Sequence, residues 1–363
     1  MSLYPGTERE QRVNRDALAD LVTEIFRRCG ESDDDAALIA DTLVTADLQG
    51  VHSHGTYRVP GYVQRLTEPG GIDPKGRPHI TKDHGAAFTV DGGNAMGQVA
   101  TAFAMRTAID RARGGAVGVA AVGGSNHCGA MAYYARMAVD QEMIGIATTN
   151  AMPIMAPWGG LDRLIGINPL SIGIPTADEP PFIIDTSFAM AAQGKVQVYK
   201  QKGLPIPADW GFDAEGRPTT DPAKVVLMQP VGGYKGVGLA VAMGLLSTLL
   251  SGADYGTELA DPRGGGATPG HDGQFVVAIN GAAFGDLAEM NGRVDGVLQQ
   301  LRGSRRATGA GPIYSPGEPE RDTELAYLRD GIPLNDETLE GLRTAAARLE
   351  VEQELIRPIQ SED

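Results

Sequence analysis

The densest gathering of reactive side chains is the run His52-Ser53-His54-Gly55, followed by Arg58 and Tyr62. Arginine offers a planar fork that matches a carboxylate, serine and tyrosine add hydrogen bonds, and histidine gives or takes a proton. Arg58 and Tyr62 are four apart, so on a helix they share a face, with His54 one turn before Arg58. Such a set suits a small anionic substrate. The plainer reading is a helix terminus with surface histidines. His52-x-His54 is also a conceivable metal pair. However, no Cys, Glu or further His stands at metal-site spacing nearby, so no metal is expected. A metal-dependent hydrolase on His52, His54 and His127 is the distant alternative, and a non-catalytic ligand-binding protein is another.

A second cluster, Gly123-Gly124-Ser125-Asn126-His127-Cys128-Gly129, follows the apolar run 117–122 and precedes a helical pattern. That places His127 on a strand-to-helix loop, where a general acid/base belongs in α/β proteins. The alternative is a histidine that only bonds backbone. Cys128 reads as a small buried residue and not as a nucleophile. A third cluster, Pro230-Val231-Gly232-Gly233-Tyr234-Lys235-Gly236, opens a helix. Its backbone N–H groups, the helix dipole and Lys235 suit a phosphate. Otherwise it is a turn with a solvated lysine. The fourth feature is the Asp185-Thr186-Ser187 turn at a strand end, followed by Gly194-Lys195. Carboxylates there hold ribose hydroxyls, or simply cap helices.

The elements that must position these residues are visible as periodicities. Leu18, Leu21, Val22, Ile25 and Phe26 form one helical face. A second helix starts at the N-cap Ser32, with Asp33, Asp34 and Asp35 at the positive end of its dipole. The segment to about Leu66 reads as helical and is closed by Glu68-Pro69-Gly70-Gly71. Thereafter β-like runs at 117–122, 143–149, 170–175, 182–185 and 275–280 alternate with helical patterns at 100–112, 130–140 and 235–251. This predicts an α/β domain with a mixed sheet. The Gly/Pro-rich stretch 260–273 reads as a loop, and Leu339, Leu342, Ala346 and Leu349 face one side of a last helix. A helical domain of 1–75 with 325–363 would then stand beside a mixed-sheet domain of 76–324.

The 363 residues carry a net charge of −15. This excludes a dense basic face for nucleic acid and disfavours an anionic membrane surface. The longest uncharged apolar run, 236–250, falls short of the about 18 residues a spanning helix needs. Cys29 and Cys128 are the only cysteines, which suits a reducing compartment, and the N-terminus lacks a secretory pattern. The expectation is a cytoplasmic protein. No G-x-G-x-x-G follows a strand and no P-loop is present, so a nicotinamide cofactor would sit on neither usual architecture.

Together the clusters resemble one family, the non-Rossmann malate/L-lactate dehydrogenases. Its relatives include ureidoglycolate and sulfolactate dehydrogenases, diketogulonate reductase and the piperideine-carboxylate reductases. The resemblance runs through Ala46-Asp47, Gly50 to Gly55, Arg58, Ser125-Asn126-His127, Pro157-Trp158-Gly159-Gly160, Gly166 to Leu170, Pro218 to Pro222 and Gly232 to Gly236. It implies an unusual NAD(P)-binding fold with a helical domain, a homodimer, and NAD or NADP as cofactor, NAD being favoured. It implies His127 as acid/base, with His54 its rival and Arg58 the carboxylate anchor. Ser53, His54, Arg58 and Tyr62 become the substrate set. Asn150, Ala151, Asp185, Thr186, Ser187, Lys235, Gly236, Gly317 and Glu318 become cofactor contacts. Where many members read Asp-Met-Ala-Thr-Ser, this chain has Asp185-Thr186-Ser187-Phe188-Ala189. Ile167 replaces a common threonine before Asn168. These differences, with Gly194-Lys195, tilt the reading to a small 2-oxo/2-hydroxy acid over a cyclic imino acid such as piperideine- or pyrroline-2-carboxylate. In reduction, His127 as imidazolium would protonate the carbonyl oxygen while Arg58 holds the carboxylate.

Overall fold

The computed structural model describes residues 10–259 and 271–359. Most of the loop read at 260–273 lies outside the described residues, and Asp272 already begins a strand, Asp272–Asn280.

The expected amphipathic helix forms at Arg15–Arg28, capped by Asn14, whose side chain accepts from the Asp16 and Ala17 N–H groups. Its five predicted apolar residues are fully buried, each stabilising by roughly 1.5–3 kcal/mol on burial. Ser32 caps the next helix, Asp33–Leu48. The segment after it is not one helix. Two single 3-10 turns, His52–His54 and Thr56–Arg58, come first, and the helix proper is Val59–Thr67. Pro60 at its start fixes φ for a first helical turn.

These helices share one core with Asp336–Arg348 from the far end of the chain. The strand Gln11–Val13 pairs antiparallel with Ile332–Leu334 and ties the two ends together. A second core lies under a seven-stranded sheet. Its spatial order is 79–84, 87–91, 117–125, 272–280, 143–149, 170–174 and 182–186. Strands 87–91 and 117–125 run parallel and every other neighbouring pair antiparallel. The sheet is therefore mixed, as the alternation of runs predicts. Helices Gly97–Gly114 and Met131–Val139 cover it.

The edge hairpin, His79–His84 with Ala87–Asp91, has no counterpart in the sequence reading. The outer strand is almost wholly exposed. A solvated edge strand shows no apolar alternation, so periodicity misses it. Gly194-Lys195, which follow the 185–187 turn in the sequence, lie in the first turn of a helix, Gln193–Gln201. A third core joins Ile154, Phe188, Val196, Ile206 and Ala240 around the glycine-rich turn that opens the helix Tyr234–Leu249.

Candidate active site

The turn bearing His52, Ser53 and His54 is organised by a buried carboxylate. Asp47 is 1% exposed. It accepts from His52 Nδ1 at 2.8 Å, and from the Thr56 backbone N–H and hydroxyl, both at 2.7 Å. Gly55 lies flat against it: a Cβ there would come within 2.1 Å of Asp47 Oδ1. The Gly-after-His pattern is thus a packing requirement. The same contact sends His52 away from the site, where its ring stacks on Tyr327 at 6.2 Å. Burial alone would lower the His52 pKa, but the bond and charge of Asp47 outweigh it and the pKa is raised. His52 therefore does not join His54 and His127, and the three-histidine metal arrangement does not assemble.

His54 turns the opposite way. Its ring stacks on His127 at 5.8 Å between centroids, and Ser53 Oγ lies 3.0 Å from His54 Nδ1. Arg58 is not inside a helix, as its spacing predicts, but caps one from the preceding turn, with its Nε donating to Ser53 O at 2.6 Å. The Tyr62 hydroxyl meets His127 Nδ1 at 2.5 Å. Ser53, His54, Arg58, Tyr62 and His127 therefore form one constellation from two distant parts of the chain.

Its electrostatics are uniform. Protein crowds His54, and burial followed by the Arg58 charge lowers its pKa to about 4. Burial, Arg58, His54 and Arg65 together hold His127 well below the ordinary histidine value. The Tyr62 hydroxyl is pushed up to about 12, mainly by burial. His127 in the free site is neutral, not the imidazolium expected from the reduction reaction alone. It is a ready base, and it becomes an acid only when something offsets the guanidinium beside it. With Nδ1 paired to Tyr62, proton exchange falls to Nε2. The base form that can take a proton at Nε2 carries its own proton on Nδ1 and donates it to the Tyr62 oxygen, and that bond persists when Nε2 is protonated.

Several residues that hold this loop were not singled out from the sequence. Arg65, one helical turn past Tyr62, donates to Asn126 Oδ1 at 2.8 Å. Asn126 is fully buried, and its Nδ2 donates to Ala95 O at 2.8 Å. Asp272, opposite Ser125 in the sheet, has its pKa raised to about 6 by burial, against the pull of Arg65. Gln98 is fully buried near Tyr62 and bears on its hydroxyl, although neither amide atom of Gln98 completes a hydrogen bond among the described residues. The 58, 62, 65 spacing was the available signal for Arg65.

Residues assigned to a cofactor lie at the same end of the sheet, where Ser125, Thr149 and Thr186 come together through Asp272, Gln274 and Leu170. Strand Phe182–Thr186 ends in Asp185, Thr186 and Ser187, and the Gly317 turn docks on it through a bond from Ile183 N–H to Pro316 O at 3.1 Å. Gly317 has φ 93° and opens the helix Glu318–Asp330. The Pro230–Gly236 turn is pinned beside the same strand end by a bond from Val231 N–H to Phe188 O at 2.9 Å. Gly233 has φ 64°, and no side chain caps the helix it opens. A Cβ on Gly236 would lie 1.7 Å from Val231 O. An uncapped helix N-terminus with Lys235 in its first turn fits a phosphate-bearing group.

Other members of that set are already engaged. Asp185 accepts from the Ala132 N–H at 2.7 Å, at the start of the helix that follows His127. One Glu318 oxygen accepts from the Ser315 N–H at 2.6 Å, and the other pairs with Arg302. The Asn150 side chain bonds Asp254 O at 2.7 Å and the Gly273 N–H at 3.0 Å. Asn168, held at φ 32°, joins the Ala151 N–H to Ala240 O. These bonds set backbone positions around the strand ends that carry the site.

The family model described as malate/L-lactate dehydrogenase matches residues 13–343. The chain belongs to the malate/L-lactate dehydrogenase family. Every residue of both constellations lies inside that span. A malate dehydrogenase of Pyrococcus abyssi is 33% identical over 94% of this chain and 95% of its own length. The L-sulfolactate dehydrogenase of Methanocaldococcus jannaschii is 37% identical over 87% of this chain and 90% of its own length. Among solved structures, a sulfolactate dehydrogenase from that organism superposes with a TM-score of 0.88 at 34% identity. The superposition covers 95% of this chain and 99% of that one. The seven-stranded mixed sheet is thus the dehydrogenase fold of this family, and its motifs divide by task. Gly55 and Asn168 serve backbone geometry, while His54, Arg58 and His127 face one another.

Proposed function

We propose that this chain is an NAD(P)-dependent dehydrogenase acting on a small 2-oxo/2-hydroxy acid, with NAD favoured. One observation carries the reading: Arg58 and His127 converge, with Tyr62 bonded to His127 and no carboxylate of the constellation neutralising the guanidinium. An arginine left for an anionic ligand, beside a histidine kept neutral, suits oxidation of a hydroxy acid or reduction of its oxo form.

Arg58 holds the substrate carboxylate, assisted by Ser53 and His54. A nicotinamide, when bound, would supply the hydride chemistry. In reduction the substrate C2 gains hydride, the carbonyl π pair moves to oxygen, and that oxygen takes a proton from His127 Nε2. In oxidation Nε2 removes the hydroxyl proton as C2 loses hydride. The bound carboxylate cancels part of the positive field of Arg58, so substrate binding raises the proton affinity of His127 when an acid is needed. Lys235, Gly236, Gly317 and the 185–187 turn would hold the cofactor, Lys235 and the helix start taking a phosphate. Asn150 and Ala151 would flank the nicotinamide.

The two-part reading of the chain, 1–75 with 325–363 beside 76–324, is supported by the core that joins the chain ends. We further assign a homodimer and a cytoplasmic location. The helix Tyr234–Leu249 and the residue after it leave Leu239, Leu249 and Leu250 at 52%, 72% and 56% exposure, a face that a second copy would cover. Both cysteines are free and buried. No helix among the described residues is long and apolar enough to cross a membrane.

The test is a fluorescence titration with NADH and NADPH, followed by a panel of 2-oxo acids with the preferred cofactor. Oxidation of the cofactor by a 2-oxo acid supports the proposal. Pyruvate with methylamine, assayed beside pyruvate alone, reports imine reduction; turnover only with the amine would assign the imine reaction instead. No turnover with any member overturns the assignment.

A further inference from the structure

We propose that Arg65 is a positioning residue for His127: it latches the loop carrying the histidine to the helix carrying Arg58 and Tyr62. This rests on the dehydrogenase reading above for the chemistry that His127 performs, but the latch itself is geometric.

Arg58, Tyr62 and Arg65 are spaced by four and three, so they project from one side of the 59–67 helix and the turn before it. Tyr62 holds the His127 ring, and Arg65 Nη2 holds Asn126 Oδ1, one residue earlier in the same loop. Asn126 is a junction. Its Nδ2 donates to Ala95 O and to Asn94 Oδ1 at 3.1 Å, and its backbone oxygen accepts from Gln274 Nε2 at 3.3 Å. Gly97 leaves room for that arrangement, since a Cβ there would lie 2.0 Å from Asn126 O. The loop is thus fixed by the sheet on one side and by the helix on the other. Arg65 supplies the only polar link from the helix to Asn126 among the described residues.

Removing the guanidinium strands a fully buried amide oxygen, which is costly when no water reaches it. Relief comes by letting the loop shift, and a misplacement of about 1 Å costs on the order of 100-fold in rate. The charge matters as well as the bond. The groups that bear on His127 are Arg58 and His54 from the turn, and Tyr62 and Arg65 from the helix. Asp272 lies across the sheet within reach of Arg65, and beside the loop stand the buried Cys128 and Tyr134. Arg65 answers Asp272 and adds, after burial, Arg58 and His54, to what keeps His127 neutral.

The experiment compares Arg65→Gln and Arg65→Lys with the wild type in the full chain. The readouts are the pH dependence of kcat, KM, NADH affinity by fluorescence, and the His127 imidazole titration by NMR. Arg65→Gln should lower kcat by about 10- to 100-fold, leave NADH affinity within about twofold, and move the His127 titration to higher pH. Arg65→Lys should restore most of the titration and only part of kcat. A glutamine variant with wild-type kcat and an unmoved His127 titration overturns the proposal. So does one that loses thermal stability while its folded fraction keeps both. The NMR titration reads the latch without turnover, so an inactive wild type would end the dehydrogenase reading and still leave Arg65 testable.

Discussion

His52 and His54 are two residues apart and end in opposite electrostatic states. His52 meets the carboxylate of Asp47 and is drawn towards its charged form against its burial, while His54 is held neutral by burial and then by the guanidinium of Arg58, with a pKa of about 4. Both lie in the same short turn and neither is free in water. The partner that the fold aims at each ring decides its role: the first histidine is a strut, the second belongs to the chemistry. The contrast extends to His127, which shares the neutral state of His54 although it arrives from a distant loop.

The sharpest way to break this division is His127→Ala. Loss of the acid/base should lower kcat by about 10²- to 10⁴-fold while cofactor binding, measured by fluorescence titration, stays near wild type. The same substitution at His52 should leave most of the turnover of the folded protein in place. Equal losses at the two positions would erase the distinction.

Next in size is Asp47→Asn. The substitution removes a buried charge that serves His52 and Thr56, and should destabilise the chain by about 3 kcal/mol, read by chemical denaturation. A loss no larger than that of an exposed aspartate such as Asp20 would show that Asp47 does not build the turn.

Arg58→Lys should raise KM for the acid by about tenfold, because lysine cannot reproduce the bidentate fork, with a smaller change in kcat. An unchanged KM would move the carboxylate elsewhere.

The smallest effect is the pH dependence of stability, where the three histidines pull in different directions. The raised His52 contributes stability that is fully present below its ordinary value of 6.5 and fades as pH climbs through its folded pKa. The lowered His54 does the reverse: the unfolded chain binds its proton first, so stability falls between pH 6.5 and about 4. His127 adds to the acid loss. His54→Gln should therefore flatten the fall in Tm below pH 6.5, whereas His52→Gln should lower Tm without changing the slope of that limb, because the His52 contribution is already constant there. Identical acid limbs for the two variants would contradict the assignment.

The reactive residues were legible in the sequence because they break the local pattern. His127 interrupts an apolar strand exit, and Arg58 and Tyr62 follow two histidines at helical spacing. The strands of the sheet's interior were legible because burial on both faces leaves β-branched apolar runs such as 143–149. Arg65 was not, since one arginine in a helix reads as a solvated charge until the loop it holds is in place. The role of Asp47 was hidden for the same reason, its partners standing five and nine residues on, across a turn that periodicity does not describe. The edge hairpin 79–91 escaped because its outer strand is exposed and polar.

The central claim is that Arg58 and His127 act on one small acid in one cleft. A crystal structure of the ternary complex with NADH and oxamate tests it most directly. The account predicts the oxamate carboxylate on the Arg58 guanidinium and its carbonyl oxygen within hydrogen-bond reach of His127 Nε2. Oxamate bound away from either side chain, with turnover intact, would contradict it.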